Sequence, residues 1–362
     1  MAKTQKLESQ RIEFLDGLRG VAILLVMLFH AYTRWKEIMP YGDRFADFTL
    51  FRHGWLGVEL FFIISGFVIF MTLERCINFR DFILRRWLRL FPAMLICSLI
   101  TYFTAPLFTA RPAGVPELHN ILTGLVFVDP ETLSWLFHTS FDSIEGAFWS
   151  LYIEMRFYFI FGLAFFFFGW RYAVAILVFL FCSNDIILAA IKHYPTVKLS
   201  WLDSFGKFVG TSYYGWFAIG ALLYKYYHEC KRKYLWLAIV VAVAACYDNG
   251  KGFAGILVLI FIFSLNYRRV QRILSCRFLV FIGFVSYPLY LIHENMIVSM
   301  TIQIGNILPG ALQIMTPLLP MVVVVAISWV VTKYLEPALK KIIRRPYNWF
   351  GAVIGAWPAR IK

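Results

Sequence analysis

Long apolar runs separated by short polar clusters dominate the chain, and each long run is a candidate membrane crossing. A helix needs roughly 17 to 25 apolar residues to cross a hydrocarbon core of about 30 Å. On that measure the pattern predicts about ten spans, at 14–34, 54–73, 88–108, 147–168, 171–191, 208–227, 234–249, 252–267, 278–302 and 316–335. The seventh and eighth are short and flank Asp248-Asn249-Gly250, a turn signal, so they read as a tight helical hairpin. The expected fold class is therefore all-α integral membrane. Backbone polar groups in lipid must be satisfied within each segment, which helices do.

The polar clusters give an orientation. Lys3, Lys6 and Arg11, the stretch from Arg75 to Arg89, Arg171, Lys225 to Lys233, Arg268 to Arg277 and the tail from Lys340 to Lys362 fall on one side. That side holds about 23 basic residues against about nine on the other, and the positive side is the cytoplasmic one. Both termini are expected there. One membrane domain over 1–362 is the economical division, with an N-terminal tail to about residue 13, helices over 14–335 and a C-terminal tail over 336–362. The longest connection, about 109–146, lies outside and carries Pro112, Pro116 and Pro130. A loop of that length is usually functional.

Composition agrees with this reading: 60% of the residues are hydrophobic and 15% charged. The formal charge of +14 raises nucleic acid as a partner, but the basic residues sit in inter-span clusters rather than along one soluble face, which excludes it. The partner they imply is the bilayer. Six scattered cysteines form no C-x-x-C pair and no metal-ligand spacing, so they read as packing residues. The polar first dozen residues run into the first apolar stretch without a small-residue cleavage site, as expected of a retained span. No P-loop, dinucleotide fingerprint or metal motif occurs in the sequence, and no resident cofactor or metal is expected.

Ionisable residues within spans are costly and mark functional interiors. Arg19 and His30 are eleven positions apart on the first span, nearly the same helical face, and about 16 Å apart along its axis. Glu154 in span four and His293 in span nine fall at about the depth of His30 in the outer half of the core. Two imidazoles and a carboxylate at one level suit proton abstraction from a hydroxyl, and they suit a transporter's proton relay equally well. Between the second and third spans, Arg85, Arg86 and Arg89 anchor the chain at the inner interface. Arginine rather than lysine also suits the phosphates of a cytosolic nucleotide or CoA. Ser65 and Gly66, near the middle of span two, allow close helix approach.

Five ordered motifs carry a resemblance. They are Leu15-Asp16-Gly17-Leu18-Arg19-Gly20 followed by His30; Gly57 to Phe67; Arg85-Arg86-Trp87-Leu88-Arg89-Leu90-Phe91-Pro92; Phe148-Trp149-Ser150-Leu151-Tyr152-Ile153-Glu154; and Ser286-Tyr287-Pro288-Leu289-Tyr290-Leu291-Ile292-His293. Over nearly its whole length the chain resembles the acyltransferase 3 family of integral membrane acyltransferases. Glu59 departs from the family's common Asp and keeps the charge.

The resemblance implies transfer of an acyl group, most often acetyl from acetyl-CoA, to a hydroxyl of a surface carbohydrate. It also implies an essential Arg19 and His30 pair and a place in the cell envelope, most naturally a bacterial cytoplasmic membrane. Some members carry a fused hydrolase-like domain outside the membrane, so the expectation here is that the membrane domain or a partner handles the acceptor. The expected catalytic residues are His30, Arg19, Glu154 and His293, with Glu154 orienting an imidazole. Arg85, Arg86, Arg89 and Ser65 are expected at the acyl-CoA, and Trp149, Tyr287 and Tyr290 as an aromatic platform for the sugar. The rival class is an exporter of a glycan or lipid-linked sugar using the His and Glu residues as a proton relay. Against it, no inverted repeat and no pair of broken spans in matching halves is visible in the sequence.

Overall fold

A computed structural model describes residues 12–108, 110–193, 200–247, 251–305 and 307–343. Every regular element among these residues is helical. The principal helices are α1 (Glu13–Phe29), α2 (Gly57–Leu73), α3 (Phe79–Thr104), α4 (Trp149–Phe168), α5 (Trp170–His193), α6 (Tyr214–Glu229), α7 (Arg232–Cys246), α8 (Ala254–Asn266), α9 (Arg277–Ile304) and α10 (Leu318–Val330).

Seven helical stretches among the described residues are long and apolar enough to cross a membrane: Glu13–Arg34, Gly54–Leu73, Phe79–Leu107, Gly146–Phe168, Trp170–Ile191, Arg277–Ile304 and Leu312–Ile343. An eighth exists if Ala254–Asn266 and Arg268–Leu274, bent by 113° at their junction, count as one span. The chain is a multi-pass membrane protein. The expected spans at 208–227, 234–249 and 252–267 correspond to α6, α7 and α8, of 16, 15 and 13 residues. Each is shorter than the roughly 20 residues of a full crossing. The Asp248-Asn249-Gly250 turn, the cluster of Lys3, Lys6 and Arg11, and the tail from Arg344 onward lie outside the described residues.

Two boundaries differ from the sequence reading, for local reasons. The arginine-rich stretch expected as a loop before residue 88 is the first part of α3. Asn78 caps that helix by accepting from the Asp81 N–H at 2.9 Å, and Asp81 then pairs with Arg85 one turn later at 2.7 Å. At the other end, helix continues past Leu335 to Ile343 through a π turn at Val331–Leu335, so the first part of the expected tail is helical. There Glu336 takes Lys340 from its own helix and Arg89 of α3 at 3.2 Å.

Backbone contact sets how the helices meet. A Cβ at Gly283 of α9 would lie 1.8 Å from the Asp16 carbonyl oxygen of α1. One at Gly66 of α2 would lie 2.0 Å from the Phe217 carbonyl oxygen of α6. No side chain fits at either position, and small residues of this kind are what bring membrane helices into close register. The first contact has the larger consequence, because α1 and α9 run parallel from it and carry His30 and His293 to the same place.

The connection over 110–146 is folded over that place. It contains helical turns at Leu118–Asn120, Ile121–Val126 and Pro130–Phe137. Arg111 and Glu145, at its two ends, form an ion pair at 3.4 Å with side chains only 2% and 1% exposed. Arg111 also donates to the carbonyls of Gly114 and Ile144. Glu145 accepts from the backbone N–H of Asn295 at 2.8 Å and from its side chain at 2.6 Å, while the Ala113 N–H donates to Asn295 Oδ1 at 2.9 Å. One buried network thus closes the loop and fastens it to α9.

Substitutions at these contacts have definite expected costs. Gly283→Ala should destabilise the protein by about 1–3 kcal/mol, the cost of overpacking. Gly252→Ala, with nothing within 4 Å of the added Cβ, should be near neutral, and unfolding of both variants in detergent measures the difference. Arg111→Ala leaves Glu145 as an uncompensated buried charge and should cost about 3–5 kcal/mol. Limited proteolysis within 110–145 should accelerate with it; unchanged cleavage would show that the clamp does not hold the loop.

Candidate functional site

α1 ends where His30 begins a π turn, His30–Arg34, a local widening common at functional sites. His30 Nδ1 lies 2.9 Å from the Val26 carbonyl oxygen and 3.2 Å from His293 Nε2. His293 Nδ1 lies 2.9 Å from the Tyr290 carbonyl oxygen. A carbonyl only accepts, so each Nδ1 carries a proton. The His293 Nδ1–H donates to Tyr290 and leaves its Nε2 as an acceptor, so the single Nδ1–H of His30 is shared between the Val26 carbonyl oxygen and His293 Nε2. The two rings, with centroids 4.9 Å apart, are thereby fixed in one sense, and the His30 Nε2 lone pair is the free end of the chain.

That free nitrogen faces Glu294, whose Oε1 is 3.5 Å away and also accepts from Trp35 Nε1 at 3.1 Å. The other oxygen, Oε2, is buried and has no hydrogen-bond partner among the described residues. Gly146 makes room for it, since a Cβ there would sit 2.6 Å from Oε2. His30, Glu294, Arg34, Trp35, Trp149 and Tyr213 line a cavity with about 1080 Å³ of empty space, and Pro112, Ala113, Gly146 and Ala147 of the clamped loop form one wall. Its aromatic side includes Trp149 against Tyr213, with ring centroids 5.2 Å apart.

A second cavity, of about 800 Å³, adjoins the first; Val58 and Tyr290 line both. Its polar lining includes Arg19, Arg86, Arg89, Ser65, Glu154 and Tyr287. Glu154 Oε1 accepts from Ser65 Oγ and from Tyr158 OH, each at 2.5 Å. Arg86 donates to Tyr158 OH at 3.1 Å, with its guanidinium 5.0 Å from that ring's centroid. Arg86 Nε is buried and has no hydrogen-bond partner among the described residues. Arg19 pairs with Asp16 at 3.0 Å, Tyr287 OH donates to the Leu90 carbonyl at 3.2 Å, and Ser150 and Tyr290 share a hydrogen bond at 2.7 Å.

The expected site residues therefore divide between two rooms. His30 faces the outer-loop cavity, with His293 fully buried behind it. Arg19, Arg86, Arg89, Ser65, Glu154 and Tyr287 face the second cavity, and Tyr290 stands between. Three expectations differ from the observed placement. Glu154 does not orient either imidazole: its bonded carboxylate oxygen serves Ser65 and Tyr158, and the carboxyl at His30 is Glu294. Arg85 lines neither cavity, because Asp81 one turn back draws its guanidinium aside. Trp149 and Tyr287 also belong to different cavities, so they do not form one platform.

Several residues of the site escaped the sequence reading. Glu294 follows His293 directly and is an acid within a span, so the rule that singled out Glu154 applies to it as well. Tyr158 lies one turn from Glu154, a weaker signal. Arg111, Glu145 and Asn295 had none, since their partnership exists only once the loop has closed.

The O-acetyl transferase of Shigella phage Sf6 is 31% identical over 156 residues, covering 41% of this chain and 44% of the phage protein. The peptidoglycan O-acetyltransferase OatA of Listeria monocytogenes is 26% identical over 176 residues, covering 44% of this chain and 25% of its own length. The chain thus matches less than half the length of either relative. No solved structure matches. The family model described as an acyltransferase domain, acyltransferase 3, matches residues 12–333, which take in both cavities and the loop that walls the first. The chain belongs to the acyltransferase 3 family.

Proposed function

We propose that this chain is a membrane-bound O-acyltransferase that moves an acetyl group from acetyl-CoA, bound at the cytoplasmic side, to a hydroxyl of a surface or lipid-linked carbohydrate. The observation that carries the reading is the free Nε2 of His30, set against Glu294 in a cavity that adjoins an arginine-lined one. The relatives' names, an O-acetyl transferase and a peptidoglycan O-acetyltransferase, support the acyl group and the glycan. The topology that fits is about ten crossings with both termini cytoplasmic, in a bacterial cytoplasmic membrane.

On this reading Arg86, Arg89 and Arg19 hold the phosphates of acetyl-CoA, as guanidinium groups do well. The pantetheine arm runs past Ser65 and Tyr287 toward Tyr290 and brings the thioester to the boundary between the cavities. The sugar rests on Trp149 and Tyr213. Its hydroxyl gives its proton to His30 Nε2 while the oxygen bonds to the thioester carbonyl carbon. The carbon–sulfur bond then breaks, and the departing thiolate takes the proton back from His30. The products are an acetyl ester and CoA. The imidazolium formed in between meets the Glu294 carboxylate in front and the His293 lone pair behind. An acetyl-His30 intermediate gives the same products in two steps, and a burst of CoA release without acceptor distinguishes that route.

His30→Ala should lower glycan-dependent release of CoA from labelled acetyl-CoA by about 10²- to 10⁴-fold. Glu294→Gln should lower it by about 10²-fold with acetyl-CoA binding intact. Retention of transfer by His30→Ala means that another group is the base, and uptake of label without CoA turnover in the parent protein means a transporter. For the donor site, Arg86→Ala should raise the KM for acetyl-CoA about 10- to 100-fold, the loss of a charge-assisted contact. Arg85→Ala should change it little, since Asp81 already holds Arg85. The reverse order of effects would move the phosphate site to the other face of α3.

A further inference from the structure

α5 and α7 pack on α6 but not on each other along their length, and the space between them shares no lining residue with either cavity. They meet at one end, where the rings of Trp170 and Tyr234 lie 5.7 Å apart, and then diverge. The result is an apolar groove with about 1200 Å³ of empty space, walled by Val174, Val178 and Leu237 among others and floored by Leu222 of α6. The span containing α5 is also the least buried of the seven candidate crossings, at 22%.

The closed end of the groove is positively charged. Arg171 and Lys233 line it, in the first turns of α5 and α7, and neither first turn contains an acidic residue. Basic side chains there add to the positive ends of two helix dipoles, an arrangement that is unfavourable without an anion. The nearby carboxylates are otherwise engaged. Glu229 binds Lys225 at 2.7 Å and Lys231 at 2.8 Å, and Glu74 binds Lys225 at 3.3 Å and Tyr224 OH at 2.6 Å. Neither Arg171 nor Lys233 has a carboxylate partner among the described residues. The Arg171 guanidinium lies 5.6 Å from the Trp170 ring centroid and the Lys233 ammonium 5.0 Å from that of Tyr234, aromatic neighbours typical of headgroup depth.

We infer that this groove binds an anionic glycerophospholipid, with its phosphate between Arg171 and Lys233 and an acyl chain along Val174, Val178 and Leu237. From Arg171 to Phe179 and from Lys233 to Val241 the walls run about 12 Å, the length of a good part of an acyl chain. A free phosphate satisfies the basic end and leaves the apolar walls empty. A zwitterionic lipid fills the walls but brings its own cation to the basic end. An anionic lipid satisfies both. The inference depends on the membrane reading and not on acyl transfer.

The test is native mass spectrometry of the delipidated full chain, re-equilibrated with phosphatidylglycerol or phosphatidylcholine of matched acyl chains. The parent protein should retain phosphatidylglycerol preferentially. Each basic residue near a membrane surface contributes a factor of about five, so Arg171→Gln with Lys233→Gln should weaken retention about 25-fold. Val178→Trp, which fills the groove without touching the charges, should weaken it as well and covers the case in which the double variant fails to fold. Equal retention of the two lipids, unchanged retention in either variant, or displacement by glycerol 3-phosphate as effective as by the intact lipid would each overturn the inference. So would a dimer that dissociates in the variants, since a second copy would then be the occupant. Acyl transfer assayed in phosphatidylcholine should be unaffected by the double variant, which separates this result from failure of the proposed enzyme activity.

Discussion

The close backbone contact between α1 and α9 is the constraint on which the rest depends. With no room for a Cβ at Gly283 against Asp16, the two helices run side by side from their N-terminal ends. His30 and His293 then meet at 3.2 Å further up. Neither residue contacts the glycine, yet their distance is set by it, because packed helices transmit position along their axes much as rigid rods do. A wider separation at the N-terminal end would open the imidazole pair, and the single orientation of the two rings would be lost. The His30 lone pair is thus a consequence of helix packing as much as of its own hydrogen bonds.

The second dependency is the loop. Glu294 and Asn295 are consecutive on α9; one faces His30 and the other holds Glu145 and Ala113. The same short stretch of helix therefore carries the carboxylate of the site and the fastening of its outer wall. Gly146, next to Glu145, gives the space in which Glu294 Oε2 sits. Loop closure and carboxylate placement are coupled through adjoining residues on each side. A buried ion pair is seldom a net source of stability, and this one fixes the ends of the loop against α9.

The sequence made the helical, multi-pass architecture legible because apolar run length reports it directly. Of the site, run length and helical rise yield an expected height for each side chain and no azimuth. A rise of about 1.5 Å per residue set His30, Glu154 and His293 at one level. Which of them touch depends on how each helix is rotated, and that is decided by contacts such as Gly283 on Asp16 and Gly66 on Phe217. Glu154 turned toward Ser65 and Tyr158, and Glu294, one residue beyond a recognised motif, took the position beside His30. Arg85 and Arg86 illustrate the same limit. Adjacent in sequence, they are about 100° apart around a helix, so one reaches a cavity and its neighbour reaches Asp81. Arg111 and Glu145 were invisible for a different reason: the contact joins residues 34 positions apart through a loop with no periodicity to read.

Buried polar atoms left without a hydrogen bond argue most directly for a site in this fold. An apolar interior exacts a cost for every unsatisfied polar atom, and the cost is higher for charged groups. Arg86 Nε and Glu294 Oε2 nevertheless stand without hydrogen-bond partners among the described residues, one in each of two adjoining cavities. The two are of opposite charge, and each is otherwise held firmly, Arg86 by Tyr158 and Glu294 by Trp35. A donor left open in one cavity and an acceptor in the next suits two ligands of complementary kind, an anion and a hydroxyl, meeting at the wall that Val58 and Tyr290 share. A single continuous ligand, carried through as a transporter carries its cargo, gives no reason for the polarity to reverse at that wall.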